Sequence, residues 1–218
     1  MAVPISQLLY EQPTNLVTFP AGLKTDTTNK KWTRDFHPTT NLIAHTSFDS
    51  ASETVSAKWD AMLPLLADDD NTAKSSETID VVYALDHPRL ENRPLAVGVW
   101  KRNIIDPVPW QTGRLRPSGF QSNLSRELRG YAVKYKCPQV FCFDGVFLLL
   151  LQFRAATRED LKKEDCEVDC WILPRKNSVG GCTLRYGFYR LLAQGFRRCQ
   201  GLRGRSVTVG GFAPESRE

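Results

Sequence analysis

The chemistry open to this chain rests on two polar side chains and the hydrocarbon between them. Asp80 sits in the run ETIDVVYAL, and Lys101 follows LAVGVW, with Val99 two positions before the lysine. Magnesium-assisted hydrolysis of a phosphodiester needs acidic oxygens to hold the metal and a cation near the attacking water. A compact arrangement places one acid on a strand, a second on the adjacent strand, and a lysine two residues further on. Side chains along a strand repeat every second residue, so the second acid and the lysine then share one sheet face. Asp80 and Lys101 suit the first acid and the lysine. Val99 stands where the second acid belongs, and it has no oxygen.

Other acids could make up the loss. Glu127 falls on the same helical side as Leu124 and Tyr131, where a carboxylate needs a partner because unpaired burial is costly. It is either a migrated metal ligand or the acid of an ion pair with Arg126, Arg129 or another cation. Glu53 either faces the same cleft or is a favourable acid in the first turn of a helix. Asp80 could equally edge its strand, and Lys101 with Arg102 could be a solvated strand end. Asp165 and Asp169 read as surface acids. Trp100, Trp110 and Tyr131 could stack on bases, although large aromatics in a sheet protein more often fill the core.

These residues have to be positioned by secondary structure. Residues 1–48 show no sustained period and read as an irregular arm, with apolar patches at Ile5–Leu9 and Leu42–Ile43 suggesting partial docking. A domain spans 49–200. Its elements are a helix near Ser52–Leu66, an acidic linker over Ala67–Glu77, and strands over Thr78–Leu85 and Leu95–Trp100. After a Pro/Gly-rich crossing come a helix near Ser122–Lys136 and two strands, Gln139–Phe143 and Val146–Phe153, joined at Asp144-Gly145, a strong hairpin signal. A strand over Glu167–Leu173 and a helix near Thr183–Gln200 close the domain; that helix buries Leu184, Phe188, Leu191, Leu192 and Phe196 and exposes Arg185, Arg190, Arg197 and Arg198. Residues 201–218 read as a flexible basic tail. This order predicts an α/β fold, a mixed central sheet flanked by helices.

The same residues resemble the PD-(D/E)xK, or restriction-endonuclease-like, superfamily, and within it fungal nuclease-like proteins of unassigned role. The family core is helix, three strands, helix, strand, and the order from Ser52 to Phe143 matches it at low resolution. By that resemblance Asp80 takes the metal-binding Asp role and Lys101 the Lys role. G-V-W-K at Gly98–Lys101 stands where G-E-W-K is expected. Some branches, notably RecB-like nucleases, carry Q-x3-Y on the following helix, and Glu127 to Tyr131 has that spacing with Glu for Gln. The resemblance covers roughly 52–155, and the last strand and helix read as additions to that core.

Bulk properties set the remaining expectations. The 218 residues carry 29 Lys/Arg and 24 Asp/Glu. Residues 1–100 have net charge −5 and 101–218 have +10. A basic half attracts polyanions, so nucleic acid, DNA in the first instance, is the expected partner. Arg102, Arg126, Arg129, Arg190, Arg197 and Arg198 are the candidate contacts. The expected cofactor is Mg2+, or Mn2+, bound weakly or not at all through Asp80, Glu127 and Glu53, because Val99 removes a ligand. The six cysteines read as reduced thiols, with Cys166 and Cys170 a weak zinc pair for lack of a second pair. No apolar run is long enough to span a membrane, and no basic-then-apolar leader pattern opens the sequence. An intracellular protein, cytoplasmic or nuclear, is expected, with self-association open. A non-enzymatic protein-interaction module on the same scaffold is the alternative.

Overall fold

A computed structural model describes residues 30–46, 81–84, 93–176 and 183–201. The helix expected near Ser52–Leu66, the acids Glu53 and Asp80, the acidic linker and residues 202–218 lie outside them. A six-stranded mixed sheet forms the centre: β1 (Leu42–Ala44), β2 (Val81–Ala84), β3 (Pro94–Trp100), β4 (Gln139–Phe143), β5 (Phe147–Phe153) and β6 (Val168–Pro174). Their spatial order is β1-β6-β5-β4-β3-β2. Pairing is parallel for β1 with β6 and for β3 with β4, and antiparallel elsewhere. The parallel β3–β4 pair needs a crossover, supplied by helices α1 (Pro107–Gln111) and α2 (Phe120–Lys134). Helices α3 (Arg158–Lys162) and α4 (Leu184–Gly201) complete the chain. The protein is an α/β sheet with flanking helices, as the element order predicts.

Two cores follow from the strand period. Val97, Val99, Val140, Cys142, Leu149 and Leu151 point toward α2, where Leu124, Leu128 and Tyr131 meet them. Ala96, Phe141, Phe143, Leu148 and Leu150 point the other way, toward Leu184 and Leu191 of α4. Helix α4 can lie close on β3 because Gly195 has no side chain: a Cβ there would overlap the Leu95 carbonyl.

Local signals explain the boundaries. Asp106 caps α1 by accepting from the Val108 N–H, with Pro107 at the first helical position. Thr157 and Asp160 form a reciprocal capping box on α3. The β4–β5 turn sits at Asp144-Gly145, where Gly145 adopts φ 92°.

Several expectations need correcting. Leu42–Ala44 lies in the stretch read as irregular, yet it extends the sheet beside β6; three residues are too few to display a strand period. Asp169 is buried, not a surface acid. Its Oδ1 lies 2.6 Å from His45 Nε2, and Arg154 Nε and Nη2 donate to its two oxygens at 2.8 Å each. Helix α4 does not expose Arg198, which is 2 % exposed and donates to Gln139 Oε1 and to the Pro94 carbonyl. Phe196, expected inside, is exposed. The amphipathic stripe fails there because buried Gln139 and Gln152, hydrogen-bonded to each other at 2.8 Å, draw Arg198 inward as a polar partner.

Burial works against the Asp169 carboxylate, but the bonds from His45 and Arg154 outweigh it and hold its pKa below the usual range. A depressed carboxylate contributes stability above its unfolded pKa, about 3.9, and loses it as pH falls through the lower folded value. Chemical denaturation of Asp169→Asn is therefore expected to show lower stability than the parent at neutral pH, with the gap narrowing below about pH 4. A gap independent of pH would contradict the pairing.

Candidate functional site

Lys101 is the first residue past β3, and backbone geometry fixes it there. Its N–H donates to the Phe143 carbonyl at 2.9 Å, extending the β3–β4 ladder by one bond. The next loop is tied down by a residue that sequence reading recognised only as a turn former. Asp144 is 1 % exposed. Its Oδ2 accepts from the N–H groups of Ile104 (3.0 Å) and Ile105 (2.9 Å), and its Oδ1 from those of Val146 (2.9 Å) and Phe147 (2.8 Å). One carboxylate thus fastens the β4–β5 turn to the chain leaving Lys101. The D-G pair revealed the turn, but nothing in local sequence could reveal the second pair of donors, forty residues away.

The strand period turns Lys101 and Val99 to the α2 side, whereas Trp100 between them faces the aromatic side with Phe141 and Phe143. Below Lys101 lies Glu127, with no exposed surface. Lys101 Nζ donates to Glu127 Oε1 at 3.0 Å. Tyr131, one helical turn on, donates its hydroxyl to the same oxygen at 2.9 Å. The E-x3-Y spacing thus works as an i, i+4 hydrogen bond on one helix face. Lys30, from the arm, completes the group: its Nζ is 2.8 Å from Glu127 Oε1 and donates to the Tyr131 hydroxyl at 2.9 Å. Glu127 Oε2 is buried and lacks a hydrogen-bond partner.

The structure therefore brings together Lys101, Glu127 and Tyr131 of the expected set, adds Lys30, and lines the floor with Val99, which is 1 % exposed. Asp80 and Glu53 lie outside the described residues. Among the described residues Glu127 is ion-paired with Lys101 and Lys30, not with Arg126 or Arg129. No signal in the sequence pointed to Lys30, which lies in the aperiodic arm.

The expected basic contacts divide. Arg102 and Arg197 are exposed, and Arg126 and Arg190 are half-buried. Arg190 donates to the Tyr186 hydroxyl at 2.9 Å. Arg129 is fully buried, donates to the Lys163 carbonyl and lies over the Phe153 ring; burial lowers its pKa. Arg129 and Arg198 are therefore interior struts rather than surface contacts.

A bound Mg2+ wants an octahedron of oxygens at about 2.1 Å, with carboxylates among them. Among the described residues this pocket supplies one carboxylate, whose Oε1 already receives two ammonium groups and a phenol, and no group of three His, Cys, Asp or Glu side chains gathers anywhere. The described donors do not fit the ion. Cys166 and Cys170 are buried, and burial pushes the Cys166 thiol up to about 11 and raises that of Cys170 as well, which disfavours the thiolate zinc requires. No helix among the described residues is long and apolar enough to cross a membrane. No protein-family model, curated protein or solved structure matches the chain.

Lys101→Met leaves Lys30 as the remaining cation on Glu127, so what is lost is one buried hydrogen bond to a charged group, and stability to urea is expected to fall by about 2 kcal/mol. The double variant with Glu127→Gln should lose less than the two single losses combined, with a coupling of at least ~1 kcal/mol. Strict additivity would contradict the pair. Separately, Asp144→Asn keeps the shape but replaces an acceptor oxygen with an NH2 facing N–H donors. It should cost about 2 kcal/mol in the same measurement, and a neutral result would refute the fastening role.

Proposed function

We propose that this chain is a nuclease-like scaffold that binds nucleic acid, with metal-dependent phosphodiester hydrolysis impaired or lost. The observation that carries the proposal is the meeting of Lys101 with Glu127 at the end of β3, 3.0 Å apart, with Val99 on the same face two residues earlier. A lysine at a strand end, beside a helix acid in an E-x3-Y pair, is the arrangement the resemblance leads one to seek. A valine in the slot for the second acid withholds the oxygen that catalysis would need.

The residue roles follow from what each can do. Lys101 and Lys30 supply two positive charges against the single charge of Glu127, so the group as described carries a net positive charge. Such a pocket attracts a phosphate oxygen more readily than a divalent cation. Tyr131 and Glu127 hold the Lys101 ammonium in place. Exposed Arg102, next in sequence, would extend a phosphate contact outward from Lys101, whereas Arg190 and Arg197 belong to α4 on the opposite sheet face. Phosphate contacts of this kind position a strand without reading its bases.

A second reading has its own support. On the opposite sheet face a hollow of roughly 210 Å3 is lined by Tyr83, Trp100, Phe141, Phe143, Leu184 and Phe188, with Arg185 at its side. Trp100 and Tyr83 are 39 % and 37 % exposed. Exposed aromatics in a hollow suit a protein partner, which favours an interaction module on the same scaffold.

Salt separates the two. Binding of a labelled DNA duplex is expected to weaken roughly in proportion to a power of salt concentration, one power per phosphate neutralised, about 0.9 each. Binding that does not change with salt, or no binding at all, would favour the protein-interaction reading. For the catalytic part, Val99→Glu is expected to raise Mg2+ affinity and nuclease activity above those of the parent. Equal inertness of the two forms would remove the enzymatic reading.

A further inference from the structure

The two faces of the sheet differ in how far their aromatic rings are covered. On the α2 side the 3-10 turn Lys31–Asp35 lies directly on the helix. Its Trp32 ring sits 5.3 Å from Tyr131 and 6.0 Å from Phe36. Gly130 leaves room for this seat, since a Cβ there would overlap Trp32 and press on Phe36. Those rings are engaged in holding the arm. On the α4 side, Trp100 and Tyr83 stay exposed at the hollow.

That hollow is a preformed cage of rings. Phe188 of α4 meets Phe141 at 4.9 Å and Tyr83 at 5.1 Å, and Trp100 meets Phe143 at 5.4 Å, all steeply tilted. Arg185 is the one charged residue in its lining, and no carboxylate lines it among the described residues. At roughly 210 Å3 it is smaller than the sites of about 300–1,000 Å3 that hold drug-sized ligands. It suits a single planar ring system.

Helix α4 borders the hollow and carries charge of one sign. Its 18 residues include no Asp or Glu. Arg185 and Arg197 are exposed and Arg190 is half-buried, interleaved with exposed Tyr189 and Phe196. Arg190 Nη1 donates to the Tyr186 hydroxyl at 2.9 Å, and its guanidinium lies over the Tyr186 ring, which orients it. At 1.5 Å per residue, Arg190 and Arg197 stand about 10 Å apart along the axis. Trp100 directly precedes Lys101 and Arg102, so the hollow opens at the charged end of β3.

We infer that the α4 face and the hollow beside it form a binding surface for single-stranded nucleic acid. An unpaired base enters among Trp100, Tyr83 and Phe188, while Arg185, Arg190 and Arg197 take phosphates. The inference rests on the nucleic-acid reading above and narrows it to unpaired strands. Guanidinium groups neutralise the backbone, and aromatic rings stack on bases whatever their sequence. A duplex keeps its bases inside the stack and offers none to a hollow without unpairing it. A protein partner would use the same rings, but it gives no reason for a helix free of acids beside them.

Fluorescence anisotropy of the full chain with a labelled single-stranded oligothymidylate, and with a duplex of equal length, tests this. The parent is expected to bind the single strand roughly tenfold more tightly than the duplex. Trp100→Leu keeps apolar bulk but removes the indole, and should weaken single-strand binding roughly tenfold. Tyr189→Ser, at a side chain 49 % exposed, should weaken it in the same direction. That variant alone decides the stacking claim if the Trp100 variant does not fold. Arg185→Gln should lower the slope of log affinity against log salt by about 0.7. Single-strand binding untouched by both aromatic variants would overturn the inference. So would preference for phosphatidylserine–phosphatidylcholine vesicles over the oligonucleotide, the behaviour of a basic helix made for a membrane surface. Duplex binding with no single-strand preference would overturn this inference alone and leave the nuclease-like reading standing, whereas binding to neither form would remove both.

Discussion

A fully buried carboxylate on the face of a helix has to find its countercharge inside the protein, and Glu127 organises the structure around that demand. Desolvating an isolated acid costs far more than a marginally stable domain can bear. The fold meets the requirement from three directions. The end of β3 contributes Lys101, the next helical turn contributes Tyr131, and the arm contributes Lys30. Each arrives by a different physical route: a strand register, an i, i+4 helical spacing, and the aromatic seating of a 3-10 turn. The site is therefore a junction of sheet, helix and arm.

That junction also explains features that would otherwise look unrelated. Asp144 must hold the loop after Lys101 because a lysine at a strand end would otherwise leave with the chain toward solvent. Gly130 must lack a side chain because the arm carrying Lys30 needs to lie directly on α2. Val99 fills the floor beneath, an apolar contact where the resemblance leads one to expect an oxygen. On the far side of the sheet the chain does something different: α4 packs on β3 through Gly195, and aromatic rings frame an apolar hollow. The two faces carry separate apolar cores, with the Glu127 group at the α2 side and the aromatic hollow at the α4 side.

Much of this frame was legible in sequence. Strand boundaries at Gln139–Phe143 and the turn at Asp144-Gly145 follow from short apolar runs bounded by turn residues. The facing of Val99 and Lys101 follows from a period of two. The partnership of Glu127 with Tyr131 follows from a spacing of four on a helix. What could not be read depends on contacts between residues distant in the chain. Lys30 lies in a stretch without periodicity, and its place on Glu127 is set by Trp32 and Phe36 rather than by any local pattern. Leu42–Ala44 is too short to signal a strand. Arg129 and Arg198 have the sequence appearance of solvated basic residues, but each is drawn inward by a carbonyl or amide left in need of a donor within the core. Charge composition alone overstates the basic surface for that reason.

The most direct test is nitrogen-15 spectroscopy of the lysine ammonium groups. Protons on an ammonium held by a buried carboxylate exchange slowly with water and give visible signals, whereas those on solvated lysines exchange too fast to be seen. The account predicts slow-exchanging ammonium signals assignable to Lys101 and Lys30, both lost in a variant lacking the Glu127 carboxylate while the remaining spectrum is retained. A Lys101 ammonium in fast exchange, indistinguishable from surface lysines, would contradict the buried junction on which every other conclusion depends.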